Sequence, residues 1–112
     1  EVLRSANANS FLTVLKRFGN NNSAPLSFPK KGWTLAVDIP ANNEDLYKKL
    51  IKLDELIVSN EGRFYLAKDS IQSPILFKNS YPRYNEWLEI KKKLDPKNIF
   101  CSNLSQRLKI EY

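Results

Sequence analysis

GWTLAVDI, Gly32 to Ile39, alternates with a period of two. Trp33, Leu35, Val37 and Ile39 fall on one side, and Thr34, Ala36 and Asp38 on the other. This is the pattern of a strand with one bulky apolar face, expected to point inward, and Pro40 closes it. Upstream, SFLTVLKRF from Ser10 to Phe18 is rich in β-branched and aromatic residues. As a strand it sets Phe11, Thr13, Leu15 and Arg17 against Leu12, Val14, Lys16 and Phe18. Gly19-Asn20-Asn21-Asn22 then opens a loop through Pro25 and Pro29 to Lys30-Lys31-Gly32. That connection is too short for a helical crossover, so the two strands are expected to pair antiparallel.

Beyond Pro40 the period changes. Leu46, Leu50, Leu53 and Ile57 recur at helical spacing, the stripe of an amphipathic helix expected to pack on the sheet. Asn42 or Asn43 is its expected N-cap, Glu44 and Asp45 suit the positive end of the helix dipole, and Gly62 is its expected C-cap. Arg63 to Ala67, RFYLA, reads as a short third strand. Pro74 can open a short helix through Phe77. Tyr84 to Leu94 reads as a second long helix with Trp87, Ile90 and Leu94 on one face, ended by Asp95-Pro96. The tail from Asn98 to Ile110 carries Phe100, Leu104, Leu108 and Ile110, which should pack against something. The fold class is α+β: a small antiparallel sheet with a packed amphipathic helix, followed by a helical tail.

Composition bounds the chemistry. With 112 residues, 42% of them hydrophobic and 27% charged, the chain suits one small globular unit rather than a disordered one. It has no His, so no His-centred triad and no His-ligated zinc can be built within it. Its single cysteine, Cys101, allows no internal disulfide and no thiolate cluster, so no metal site is expected. With three glycines it has no glycine-rich phosphate loop. It contains no Met and opens at Glu1, as a processed product or a piece of a longer polypeptide would. The net charge of +6 leaves a freestanding basic module for nucleic acid or anionic lipid as an alternative. The basic residues are scattered, however, and no nucleic-acid motif accompanies them, so nucleic acid is not the expected partner.

Two lysines stand out. Lys68, just past the expected strand end and between apolar Ala67 and acidic Asp69, can reach into a cleft as a cation or tuned base, or be a solvated lysine paired with Asp69. Lys16 interrupts the otherwise apolar Leu12, Val14 and Phe18, either as a pocket floor or as an ammonium snorkelling to the sheet edge. Lys91-Lys92-Lys93 reads as the wet face of its helix, and Cys101 as a small buried hydrophobe.

FLTVLKRFG, APLSFPKKGWTLAVDIP, GRFYLAKDS, YPRYNEW and DPKNIFCSNLSQRL, taken in order from about Ser10 to Ile110, resemble the C-terminal part of the decaprenylphosphoryl-ribose oxidases and their bacterial relatives. These are FAD-dependent enzymes of the vanillyl-alcohol oxidase superfamily. LSFP-x-x-GW at Leu26 to Trp33 and YLAKDS at Tyr65 to Ser70 are the most specific pieces. The resemblance implies a fragment of a larger two-domain flavoenzyme. Residues 1–62 would be the end of the substrate-binding domain, and 63–112 a segment returning to the FAD-binding domain. Phe77, Tyr81, Tyr84 and Phe100 would then be expected to pack on a domain outside this chain.

Carried over residue by residue, Leu12, Val14, Lys16 and Phe18 match a face that lines the substrate pocket, and Thr34 and Ala36 match two further pocket positions. The family's best-known members carry Asn and a reactive Cys at these last two, so a thiol-directed inhibitor would find no target at Ala36. Tyr65 matches a residue that touches the flavin. Lys68 matches a lysine beside the isoalloxazine and the substrate, and is the expected catalytic residue. Cys101 matches no functional cysteine, and Asn103 replaces a common Asp.

The implied reaction oxidises a secondary alcohol of a sugar to a ketone, with hydride transfer to flavin. The implied partners are a sugar or polyprenyl-phosphosugar-like substrate, the N-terminal FAD-binding domain of the same polypeptide, and a short-chain reductase completing an epimerisation. An aldonolactone-oxidase or sterol-reductase type of substrate is the alternative. A cytoplasmic or peripheral inner-membrane location is expected. Any His-dependent step, or a His-linked flavin, would belong to residues outside these 112.

Overall fold

The computed structural model describes residues 2–5, 8–40 and 44–110. Its elements run α1 (Val2–Ser5), β1 (Leu12–Phe18), β2 (Gly32–Asp38), α2 (Glu44–Ser59), α3 (Pro74–Ser80), α4 (Tyr84–Leu94) and α5 (Asn103–Arg107). The strands pair antiparallel as expected, from Leu12 opposite Asp38 to Phe18 opposite Gly32. The third strand expected at Arg63–Ala67 does not form. That stretch is extended and then turns, with the Lys68 and Asp69 amides both donating to the Tyr65 carbonyl at 3.0 and 3.1 Å. A closed turn leaves no straight run of backbone to enter a ladder.

The core lies in the C-terminal half. Phe77, Tyr81, Tyr84, Leu108 and Ile110 form one buried cluster, with Leu26, Leu66, Trp87, Leu88 and Leu104 against it. Three of the four aromatics expected to pack outside the chain are therefore its own core, and only Phe100 stands exposed. The reason is ring geometry close in sequence. α3 and the turn before α4 bring Phe77 within 5.5 Å of Tyr81 and 5.3 Å of Tyr84, ring centre to ring centre. The Phe77–Tyr84 contact is edge-to-face and the Phe77–Tyr81 contact tilted, arrangements that the ring quadrupoles favour.

The buried side of α4 is also rotated from the expected one. Tyr84 is buried, Trp87, Leu88 and Lys91 are half-buried, and Ile90 and Leu94 are exposed. Lys91 is accordingly not a wet-face lysine: its ammonium donates to Asp95 at 2.8 Å and to Asn98 at 2.9 Å. The Asp95 carboxylate also accepts from the Ile99 and Phe100 amides, closing the turn after the helix. Cys101 is exposed rather than buried.

In α2 the expected stripe holds, with Leu46 buried and Leu50, Leu53 and Ile57 half-buried. The helix packs chiefly on α1 and α3 rather than across the strands. The N-cap expected at Asn42 or Asn43 lies outside the described residues. At the other end the left-handed residue is Glu61, at φ 59°, and not Gly62. The Glu61 amide donates to Val58 O at 2.9 Å and the Gly62 amide to Ile57 O at 2.8 Å, a Schellman pair. Gly62 is needed for a different reason: a Cβ there would lie 2.5 Å from Ile57 Cγ2 and 2.7 Å from Ile57 O.

Candidate functional site

The register brings the expected pocket residues together. Val14 lies directly opposite Ala36 and Lys16 directly opposite Thr34. Because directly paired residues share a face, Leu12, Val14, Lys16, Phe18, Thr34 and Ala36 occupy one side of the hairpin. Val14, Phe18 and Thr34 are half-buried, while Leu12, Lys16 and Ala36 are exposed. The other side carries Leu15, Arg17, Trp33 and Leu35, and here the inward orientation expected of the bulky face is reversed. Trp33 is 68% exposed and Leu35 59%. Arg17 sits over the Trp33 ring at 5.9 Å. A shallow open depression at the far end is lined by Arg17, Phe18, Gly19, Asn20 and Lys31.

An aromatic chain links this face to the turn that carries the remaining expected site residues. Phe28, from the LSFP segment, meets Phe18 edge-on at 5.6 Å and Tyr65 at 5.1 Å. The loop bearing Phe28 is itself tied to the C-terminal half. Arg63 Nη1 donates to Ser27 O at 2.7 Å, and Arg83 Nη1 donates to Ser23 O at 2.8 Å. Arg63 also lies over the Tyr81 ring at 5.3 Å. Phe28 carries no polar chemistry, so charge-based reading passes over it. The signal was its place inside the most specific motif.

Tyr65 is half exposed and Lys68 is exposed. Lys68 makes no side-chain hydrogen bond or ion pair among the described residues, and Asp69 is not its partner. The Asp69 carboxylate turns the other way. Oδ1 accepts from the Ile71 and Gln72 amides at 3.1 and 2.9 Å, and Oδ2 accepts from Arg107 Nη2 at 2.7 Å. Lys16 likewise has no described partner, so both lysines present free donors.

A second carboxyl lies near this turn. Asp54 of α2 is buried, and burial together with the neighbouring Asp69 charge raises its pKa to about 6. Tyr81 is pushed up to about 12 by burial, with Arg63 opposing, and its hydroxyl donates to Phe64 O at 2.7 Å. Asp54 was missed in the sequence because its helix position reads as one more polar residue beside Leu53.

The chain belongs to the family whose model is described as D-arabinono-1,4-lactone oxidase, which matches residues 2–108. It is 42% identical over 101 residues to decaprenylphosphoryl-beta-D-ribose oxidase of Mycolicibacterium smegmatis, a match covering 90% of this chain and 22% of that relative. A Streptomyces coelicolor relative, named only as an uncharacterized protein in the mprA 5′ region, is 39% identical over 95 residues, covering 85% of this chain and 26% of the relative. The chain thus spans about a quarter or less of the relatives it matches.

Proposed function

We propose that these residues form part of an FAD-dependent oxidoreductase that oxidises a secondary alcohol of a sugar or sugar-phosphate to a ketone. On this reading residues 1–62 contribute one wall of the substrate pocket, and the segment from Arg63 packs on the FAD-binding domain of the same polypeptide. The observation that carries the reading is the juxtaposition of the hairpin face with the Tyr65–Lys68 turn, bridged by Phe28.

The residues fit the cofactor chemically. Tyr65 offers a half-exposed aromatic surface against which a planar ring system can lie, and Lys68 offers an unpaired cation three residues further on. Bound FAD would supply the hydride acceptor. Lys68 would stabilise negative charge developing beside it, on the ring or on the substrate oxygen. Lys16 would hold a phosphate or hydroxyl of the substrate, with Thr34 as a second hydrogen-bonding group across the strand pair. Leu12, Val14 and Phe18 would form the apolar wall, and Ala36 leaves that wall without a thiol. The one carboxylate on this face, Asp38 opposite Leu12, is exposed at the end of the ladder away from Phe18 and Phe28, so on this reading the hydroxyl proton is taken by a base outside these residues.

A polyprenyl-phosphosugar substrate would place the protein at the cytoplasmic side of a membrane. Among the described residues no helix is long and apolar enough to cross one. The ketone product would be consumed by a reductase of the short-chain type. The family description favours one second reading, an aldonolactone as substrate.

The test uses the complete polypeptide with a short-chain polyprenylphosphoryl-β-D-ribose and with D-arabinono-1,4-lactone. Lys68→Ala should lower turnover by at least about tenfold while flavin content and thermal unfolding stay unchanged, about 1.4 kcal/mol of transition-state stabilisation. Unchanged turnover removes Lys68 from the mechanism. Preference for the lactone would favour the second reading. The 112-residue chain alone should retain no flavin through purification.

A further inference from the structure

Tyr65 and Lys68 occupy one closed turn, and the far end of that turn is held by side chains the proposed reaction does not use. Asp69 follows Lys68 directly. Its Oδ1 folds the next backbone onto itself through the Ile71 and Gln72 amides, and its Oδ2 takes Arg107 Nη2 at 2.7 Å. Arg107 continues across the turn, with Nη1 donating to Gln72 O at 2.8 Å and Nη2 approaching Asp69 O at 3.3 Å. The pair is shielded, the Asp69 side chain being 6% exposed and that of Arg107 30%.

Arg107 is itself fixed. It ends α5, whose start is closed by a reciprocal Ser102–Ser105 capping box and whose end runs into the buried Leu108. A guanidinium fork held at both ends restrains a turn more tightly than a single ammonium could, because its donors have fixed mutual geometry.

We infer that the Asp69–Arg107 pair is a positioning device that sets the reach of Lys68 relative to Tyr65. The inference rests on the reading of Tyr65 and Lys68 as flavin neighbours. With Asp69 and Arg107 committed to each other and to the backbone of the turn, both would act through Lys68.

The experiment is a redox titration of the complete flavin-loaded protein, with Lys68→Ala, Asp69→Asn, Arg107→Lys and the double variant Lys68→Ala/Asp69→Asn. Asp69→Asn keeps an oxygen for the Ile71 and Gln72 amides and loses the charge facing Arg107, so it spares the turn more than Arg107 variants do. Removing the Lys68 cation should shift the reduction equilibrium about tenfold toward oxidised flavin, about 30 mV for a two-electron couple. Asp69→Asn and Arg107→Lys should each shift it about threefold or more in the same direction, with flavin content unchanged. In the Lys68→Ala background Asp69→Asn should add nothing, the non-additivity expected when one residue acts through another.

Equal shifts from Asp69→Asn in both backgrounds, or none in either, would overturn the inference while leaving the role of Lys68 intact. Loss of flavin from both Asp69→Asn and Arg107→Lys would make the pair mere scaffold and overturn it too. A Lys68→Ala variant with unaltered potential and turnover would overturn the reading of Lys68 and the inference with it.

Discussion

The β1–β2 hairpin and the helical segment from Arg63 to Ile110 treat their apolar residues in opposite ways. The helical segment encloses Phe77, Tyr81 and Leu108 almost completely, each at 1% exposure or less. The hairpin leaves Phe11, Leu15, Trp33 and Leu35 each more than half exposed. A two-stranded ribbon has no third layer to cover its second face, so strand pairing alone can satisfy its backbone but not bury its side chains. The radius of gyration is 15.5 Å, where a compact unit of this length would measure about 13 Å. Stability is therefore concentrated in the helical half, while the hairpin offers surface.

The sharpest way to break that contrast is to cut into both halves. In urea unfolding of the 112-residue chain, Phe77→Ala should cost about 3–5 kcal/mol, the cost of a cavity in a packed aromatic cluster. Trp33→Ser should stay within about 0.5 kcal/mol, the range of exposed positions. Comparable losses at both sites would mean that the hairpin is covered and that the contrast is false.

A smaller effect probes the junction between the halves. Gly62→Ala should cost about 1–3 kcal/mol, because the added methyl meets the Ile57 carbonyl at the end of α2. Glu61→Gly, at the left-handed position, should instead be neutral or slightly stabilising in the same melts. The reverse order would return the special backbone role to Gly62.

The smallest effect separates two buried carboxyls. The Asp54 pKa is raised to about 6, first by burial and then by Asp69. Its folded form thus binds the proton more tightly than the unfolded chain, so stability should fall as pH rises from about 4 to about 6 and then level off. Asp54→Asn should remove that fall and raise stability at pH 7 by about 1–2 kcal/mol. Asp95 is the opposite case: the Lys91 hydrogen bond, helped by the Ile99 and Phe100 amides, holds its pKa below the ordinary value against desolvation. Its contribution should be present above about pH 4 and lost as acid takes the solution below that, so Asp95→Asn should destabilise at neutral pH. Unfolding curves of the two variants against pH would show the crossing or its absence.

Local pattern carried the sequence reading where one element answers to its own period. The two strands, their antiparallel pairing, the stripe of α2 and the span of α4 all follow from spacing that each segment contains in itself. The RFYLA stretch misled because a short apolar run suits a strand as well as a packed turn, and the Tyr65 carbonyl chose the turn. Of the candidate site, the hairpin face was legible once register was assumed. The Phe28 bridge and the commitment of Asp69 to Arg107 were not, since they join residues far apart in the chain.

The sequence by itself determined the α+β class, the element types and the family resemblance, because periodicity and motif spacing are properties of neighbouring residues. Tertiary structure alone decided which faces are buried. Trp33 and Leu94 look like core and stand in solvent, whereas Lys91 and Asp54 look like surface and are half-buried and buried. Burial depends on what other segments bring to a face, and for Lys68 that meant an aspartate next to it in sequence was already held by an arginine from the far end of the fold.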